Sequence, residues 1–170
     1  MTDLVVADGR LHAFGGHFPV AVGRAGVVPA RNKREGDGAT PAGRLPLRAL
    51  LLRPDRMAAP DTRLPWRWLR PTDGWSDDPA DPCYNRPITL PHPFRAERLW
   101  RADGLYDLVI VLGWNDDPVV PGRGSAIFWH VMAPDGAPTE GCIACAREVL
   151  EALLPRLEPG LAITVHAPAG

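Results

Sequence analysis

AIFWHVMAPDGAPTEGCIACAREVL, residues 126–150, holds two of the chain's three cysteines and changes character along its length. Its first part alternates: on a strand, Phe128, His130 and Met132 face one way and Ile127, Trp129 and Val131 the other. The Pro- and Gly-containing APDGAPTEG follows. Beyond it Val149, Leu150, Leu153, Leu154 and Leu157 make an apolar stripe at helical spacing, with Gly160 as a stop. The segment is expected to form a strand, a loop that folds back and a helix beginning just after Cys142, which Pro155 kinks or ends early. His130, twelve positions before Cys142, is thereby brought near it.

Outward from this segment, short β-like runs recur at LVVA (4–7), FPVAVG (18–23), LPLRALLL (45–52), LYDLVIVLGW (105–114) and LAITVHA (161–167). Twenty prolines and 17 glycines, spread through the chain, predict many turns and few long helices. A length of 170 residues suits one well-buried core, since domains usually run about 100 to 200 residues. Residues 1–170 are therefore expected to form one α+β domain, mainly β, with its main helix in the C-terminal half. A net charge of -1 provides no field for a nucleic acid backbone. No apolar run approaches the roughly 18 residues of a membrane span, so no membrane partner is expected. MTDLVVADGRLHAFGG lacks the features of a secretory signal, and three cysteines make an odd, sparse set. The expected compartment is the cytoplasm, with the periplasm as the alternative if a leader has been removed.

Cys142 and Cys145 admit several readings. A thioredoxin-like CxxC needs a strand-to-helix βαβ context that is not evident. Zinc needs a second ligand pair, and Cys83 and the five histidines form none at finger spacing. A core role suits Cys145, which lies in apolar Ile-Ala-Cys-Ala, because free cysteine is often buried. It suits Cys142 poorly, since Thr139-Glu140-Gly141 is turn-like and Gly141 lets the backbone approach a bound group. A thiol at a helix N-terminus would have its pKa lowered toward the thiolate and would be alkylated fast below neutral pH. His130, alone a structural histidine more often than not, becomes a base candidate beside such a thiol. Two echoing stretches, WSDDP (75–79) and WNDDP (114–118), read either as similar turns or as an acidic rim that receives a substrate amine.

These residues resemble the L,D-transpeptidase (YkuD-type) catalytic family. Its signature is a strand histidine followed, after a variable loop, by Ser/Thr-x-Gly-Cys and a small apolar residue, here His130 and Thr139-Glu140-Gly141-Cys142-Ile143. GDGATPAG (36–43) is similar to the family's Gly-x-x-Thr-Pro-x-Gly turn and reads as structural, since glycine and proline there satisfy a tight turn without any ligand. DPCYNRPITL, LYDLVIVLGWN and PGRGSAIFWH look like a compact stand-alone branch, so the resemblance spans nearly the whole chain.

The resemblance implies a sandwich-like, mainly β fold with the active site at a sheet end, peptidoglycan stem peptides or muropeptides as partners, and no cofactor or metal. It implies Cys142 as nucleophile, His130 as base and then acid, and backbone N–H groups of Gly141, Cys142 and Ile143 as the oxyanion hole. Thr139 is a substrate-binding candidate. The family's arginine two residues after the cysteine is Ala144 here; Arg86, Arg123 and Arg147 are candidates to replace it, although for any one of them a solvent-facing or structural ion pair is the commoner role. The expected activity is cleavage of the L,D-peptide bond of a tetrapeptide stem through a thioester, with water as acceptor. The alternatives are transpeptidation to an amine and a stem-peptide binding module without turnover.

Overall fold

In the computed structural model, which describes residues 4–168, the chain is built mainly from strands. In chain order they are β1 (Leu4–Ala7), β2 (Arg10–Ala13), β3 (Gly16–Pro19), β4 (Val27–Val28), β5 (Thr40–Pro41), β6 (Gly43–Leu52), β7 (Trp66–Trp68), β8 (Asp73–Ser76), β9 (Pro87–Thr89), β10 (Ala96–Arg98), β11 (Leu108–Leu112), β12 (Phe128–Val131), β13 (Ile143–Cys145) and β14 (Ala162–Val165). One α-helix, α1 (Arg147–Leu153), occurs among the described residues. No helix of the described residues is long and apolar enough to cross a membrane.

Strand β6 organises the barrel-like main sheet, whose order is β13-β12-β11-β6-β14-β1-β2-β3 with β7 also on β6. Its first half, Gly43 to Pro46, pairs with β14, and its second half, from Leu47, pairs with β11. The register shifts between Val111 and Leu112, and such a bulge bends and twists the pair locally. A separate three-stranded sheet, β10-β8-β9, packs on this region through Trp75, whose ring meets Phe128 edge-on at 5.1 Å between centroids.

The alternation expected on β12 is observed. Ile127 and Trp129 enter the main core with Leu50, Leu52, Leu108 and Ile110, while Phe128 joins a second cluster containing Tyr106 and Cys142. Each fully buried Leu or Ile of that main core contributes about 1.5 to 3 kcal/mol relative to exposure. The strands foreseen at LVVA, LPLRALLL, LYDLVIVLGW and LAITVHA contain β1, β6, β11 and β14. FPVAVG differs: β3 ends at Pro19, and Ala21 and Gly23 form single bridges to Ala144 and Thr139. That segment runs along the loop that carries Cys142 instead of extending a hairpin.

The helix does not begin just after Cys142. Ile143–Cys145 forms β13, parallel to β12, with Trp129 opposite Ile143, His130 opposite Ala144 and Val131 opposite Cys145. On its other side Ala144 exchanges backbone hydrogen bonds with Ala21, N to O at 2.9 Å in both directions. Neighbours on both sides give these backbone groups partners that an isolated peptide lacks, so the strand wins. Helix α1 starts at Arg147 and, as Pro155 requires, gives way to a 3-10 turn at Leu154–Arg156.

Candidate active site

Gly141 sets the geometry of the loop. Its φ of +138° lies outside the range that side chains accept, and a Cβ there would stand 2.8 Å from Ala39 O. Thr139 closes the same turn: its hydroxyl accepts from Gly141 N at 3.1 Å and donates to Cys142 O at 2.6 Å. From the other side the buried Thr40 hydroxyl accepts from Gly23 N and donates to Gly141 O, both at 2.8 Å. Thr40 ends a turn organised by Asp37, whose carboxylate receives Lys33 Nζ at 2.6 Å, Arg34 N at 2.8 Å and Ala39 N at 2.9 Å. The GDGATPAG turn thus acts as a clamp on the loop that carries the cysteine.

The Cys142 thiol donates to Ala126 O at 3.2 Å, and its sulfur accepts from Phe128 N at 3.4 Å. Burial pushes its pKa up to about 12, because a thiolate loses its hydration in this cluster. The lowered pKa expected from a helix N-terminus does not arise: β13 separates Cys142 from α1, and desolvation outweighs the one backbone donor. Rapid alkylation below neutral pH is accordingly not expected.

His130 projects from β12 into the same space, 5% exposed. Its Nδ1 is 2.8 Å from Val131 O. Because that carbonyl can only accept, the hydrogen bond assigns the proton to Nδ1 and leaves the Nε2 lone pair as a base. Burial lowers its pKa to about 4. Near neutrality the resting site therefore pairs a neutral thiol with a neutral imidazole, not a thiolate with an imidazolium.

Cys142, His130, Gly141, Thr139, Ala144 and Tyr106 line a cavity of about 400 Å³. Four carboxylates share it: Glu35, Asp77, Glu97 and Glu140, the last paired with Arg24 at 3.0 Å. Glu35 accepts from Tyr84 at 2.8 Å and from the Ser125 hydroxyl, Asp77 pairs with Arg95 at 3.0 Å, and Glu97 accepts from the Tyr106 hydroxyl. Burial, together with the charges of Asp77 and Glu35, raises the Glu97 pKa. Of the two acidic echoes, WSDDP brings Asp77 to the cavity, whereas Asp116 of WNDDP pairs with Arg48 at 2.8 Å elsewhere. Among the described residues no three His, Cys, Asp or Glu side chains converge on a metal-sized point.

The structure thus gathers Cys142, His130, Gly141 and Thr139, and separates them from the other predicted site residues. The Ile143 side chain is fully buried in the main core, its backbone lies in the ladder with β12, and the Gly141 N–H is already taken by Thr139. Arg86 donates to Asp116 O at 2.8 Å, Arg123 to Ala30 O at 3.4 Å, and Arg147 to Asp107 at 3.3 Å. All three arginines are held by structural partners outside the cavity, and the arginine that does line it is Arg101. Arg101 binds Asp103 at 2.5 Å and lies 4.8 Å from the centre of the Tyr106 ring. Arg101, Glu97 and Tyr106 were not singled out from the sequence, and no motif spacing marks them. Thr40 did lie in a recognised motif, and its hydroxyl was the available signal.

One of three comparisons with known proteins finds a match. A family model described as the L,D-transpeptidase catalytic domain, YkuD, matches residues 3–165. No curated protein and no solved structure matches the chain.

Proposed function

Because the chain belongs to the L,D-transpeptidase catalytic-domain family, whose members act on peptidoglycan peptides through a cysteine, we propose that it is an L,D-carboxypeptidase. In this reading it cleaves the L,D-peptide bond of a tetrapeptide stem through a Cys142 thioester, and water releases the tripeptide. The observation that carries the reading is the convergence of Cys142 and His130 in one cavity, with the His130 tautomer set by Val131 O. A volume of about 400 Å³ is near the small end of ligand sites and suits one peptide terminus with a small acceptor.

The resting protonation states shape the mechanism. Forming a free thiolate and imidazolium in the closed cavity is uphill, so proton loss from sulfur to His130 Nε2 is coupled to attack on the carbonyl carbon. The Cys142 backbone N–H serves as oxyanion donor. His130 then protonates the leaving amine, the terminal D-amino acid departs, and a water molecule deprotonated by His130 hydrolyses the thioester. The three cysteines are free, as a reducing compartment permits, and we place the enzyme in the cytoplasm acting on soluble stem peptides.

A second reading, transfer of the acyl group to an amine, is favoured by the carboxylates Glu35, Asp77 and Glu97 at the cavity, which would attract an ammonium acceptor. Mass spectrometry of a tetrapeptide incubated with the protein, with and without an added D-amino acid, separates the two. Tripeptide alone, absent with Cys142→Ala, supports hydrolysis; exchanged or dimeric product supports transfer; no product in either case leaves a binding module.

A further inference from the structure

Tyr106 belongs to no motif of the sequence, yet it packs beside both His130 and Cys142. Its ring meets His130 edge-on at 5.1 Å and Phe128 at 5.9 Å between centroids. It packs in one buried cluster with Cys142 and Ala126, the residue whose carbonyl holds the thiol proton. Its hydroxyl donates to Glu97, which is partly exposed to the cavity. We propose that Tyr106 is a third catalytic group, oriented by Glu97, whose O–H turns to the Cys142 sulfur when His130 takes the thiol proton.

The proton count is simple. Cys142 S–H gives its proton to His130 Nε2, the sulfur becomes an anion, and the Tyr106 proton stays on its oxygen but changes acceptor from Glu97 to sulfur. That change is easiest when Glu97 is itself protonated, because its O–H can then donate to the Tyr106 oxygen. The groups facing Glu97 are Tyr106, Asp77, Glu35 and Arg101, the last at 4.0 Å. The two carboxylates favour the protonated form and Arg101 opposes it. Two electrostatic effects point the same way: the Tyr106 hydroxyl favours the thiolate as a hydrogen-bonding neighbour, and a charged Glu97 disfavours it. A protonated Glu97 therefore removes a repulsion and frees a donor together. Tyr106 supplies near the sulfur the stabilisation that Ala144, opposite His130 on β13, cannot.

The role in turnover rests on the acyl-transfer reading above, whereas the thiol chemistry can be read without it. Iodoacetamide alkylation of Cys142 is followed from pH 7 to pH 9.5 by peptide-resolved mass spectrometry, with exposed Cys83 as an internal reference. Tyr106→Phe is expected to slow Cys142 alkylation about tenfold at each pH, as loss of a hydrogen bond to a charged group implies. Glu97→Gln, which mimics the neutral acid, is expected to speed it about threefold or more and shift the profile to lower pH. Unchanged or faster alkylation in Tyr106→Phe would show a packing role and overturn the proposal. Should Tyr106→Phe fail to fold, Glu97→Gln decides: an unchanged or slower profile rejects the proposal. If wild-type protein turns over no stem peptide while both variants shift alkylation as expected, the acyl-transfer reading fails and the role of Tyr106 stands.

Discussion

Cys142 and Cys145 lie three residues apart on opposite sides of the β12–β13 layer. Cys145 is fully buried in the main core, where the Trp129 indole N–H donates to its sulfur at 3.3 Å. Cys142 packs with Phe128 and Tyr106 and opens on the cavity. Burial raises both thiols, Cys145 to about 11 and Cys142 to about 12. The thiol proposed as nucleophile is therefore not the more acidic one. What separates the two is surroundings: one sulfur faces a base and space for a carbonyl, the other faces leucines and an indole.

The strongest test of that contrast replaces each sulfur in turn. Cys142→Ala should reduce tetrapeptide turnover to background with little change in stability. Cys145→Ala should keep turnover within about threefold while costing about 1 to 2 kcal/mol in denaturant unfolding. Loss of turnover in Cys145→Ala with the fold intact would erase the distinction between the two faces.

Next in size is His130→Asn, which should lower kcat by about 10² to 10⁴-fold through loss of the base. The same residue has a stability signature. Its folded pKa is lowered from 6.5 to about 4, so between these values the unfolded chain holds a proton that the folded chain does not. Stability from this residue is complete above pH 6.5 and falls by about 3 kcal/mol as the pH drops to 4. Urea titrations across that window should show wild type losing about 3 kcal/mol relative to His130→Asn as the pH falls.

Gly141→Ala sharpens the contrast on the loop. The positive φ and the clash with Ala39 O should cost about 1 to 3 kcal/mol, and the displaced Cys142 should lower kcat more than it raises KM. Thr40→Val removes the clamp's hydroxyl and is expected to cost about 1 to 3 kcal/mol, measured by thermal unfolding. The smallest effect is assigned to Arg123→Ala: held by Ala30 O outside the cavity, Arg123 should leave kcat/KM within about twofold.

Much of the nucleophile's side of the site is local in the chain, and that part was legible. His130 follows from period-two alternation in AIFWHVM, and Gly141 and Thr139 from a turn within four residues of the cysteine. The short run Ile143-Ala144-Cys145 was misread as a helix start because three apolar residues carry no period. Only β12 on one side and Ala21 on the other make it a strand. Glu35, Asp77, Glu97 and Tyr106 reach the cavity from segments scattered between residues 35 and 106, and no spacing rule links side chains across such distances. Arg86, Arg123 and Arg147 carry the charge that Ala144 lacks, but charge does not say which partner a long side chain finds.

The sequence by itself determined a mainly β chain, a strand histidine, a glycine turn and a cysteine beyond it, because alternation and steric freedom act within a few residues. The tertiary structure decided which wall of the cavity is acidic, that Thr40 clamps the loop, and that Cys142 and His130 rest neutral. Those properties depend on how much water is excluded around each group and which charges face it, and both are set only when distant strands close over the site.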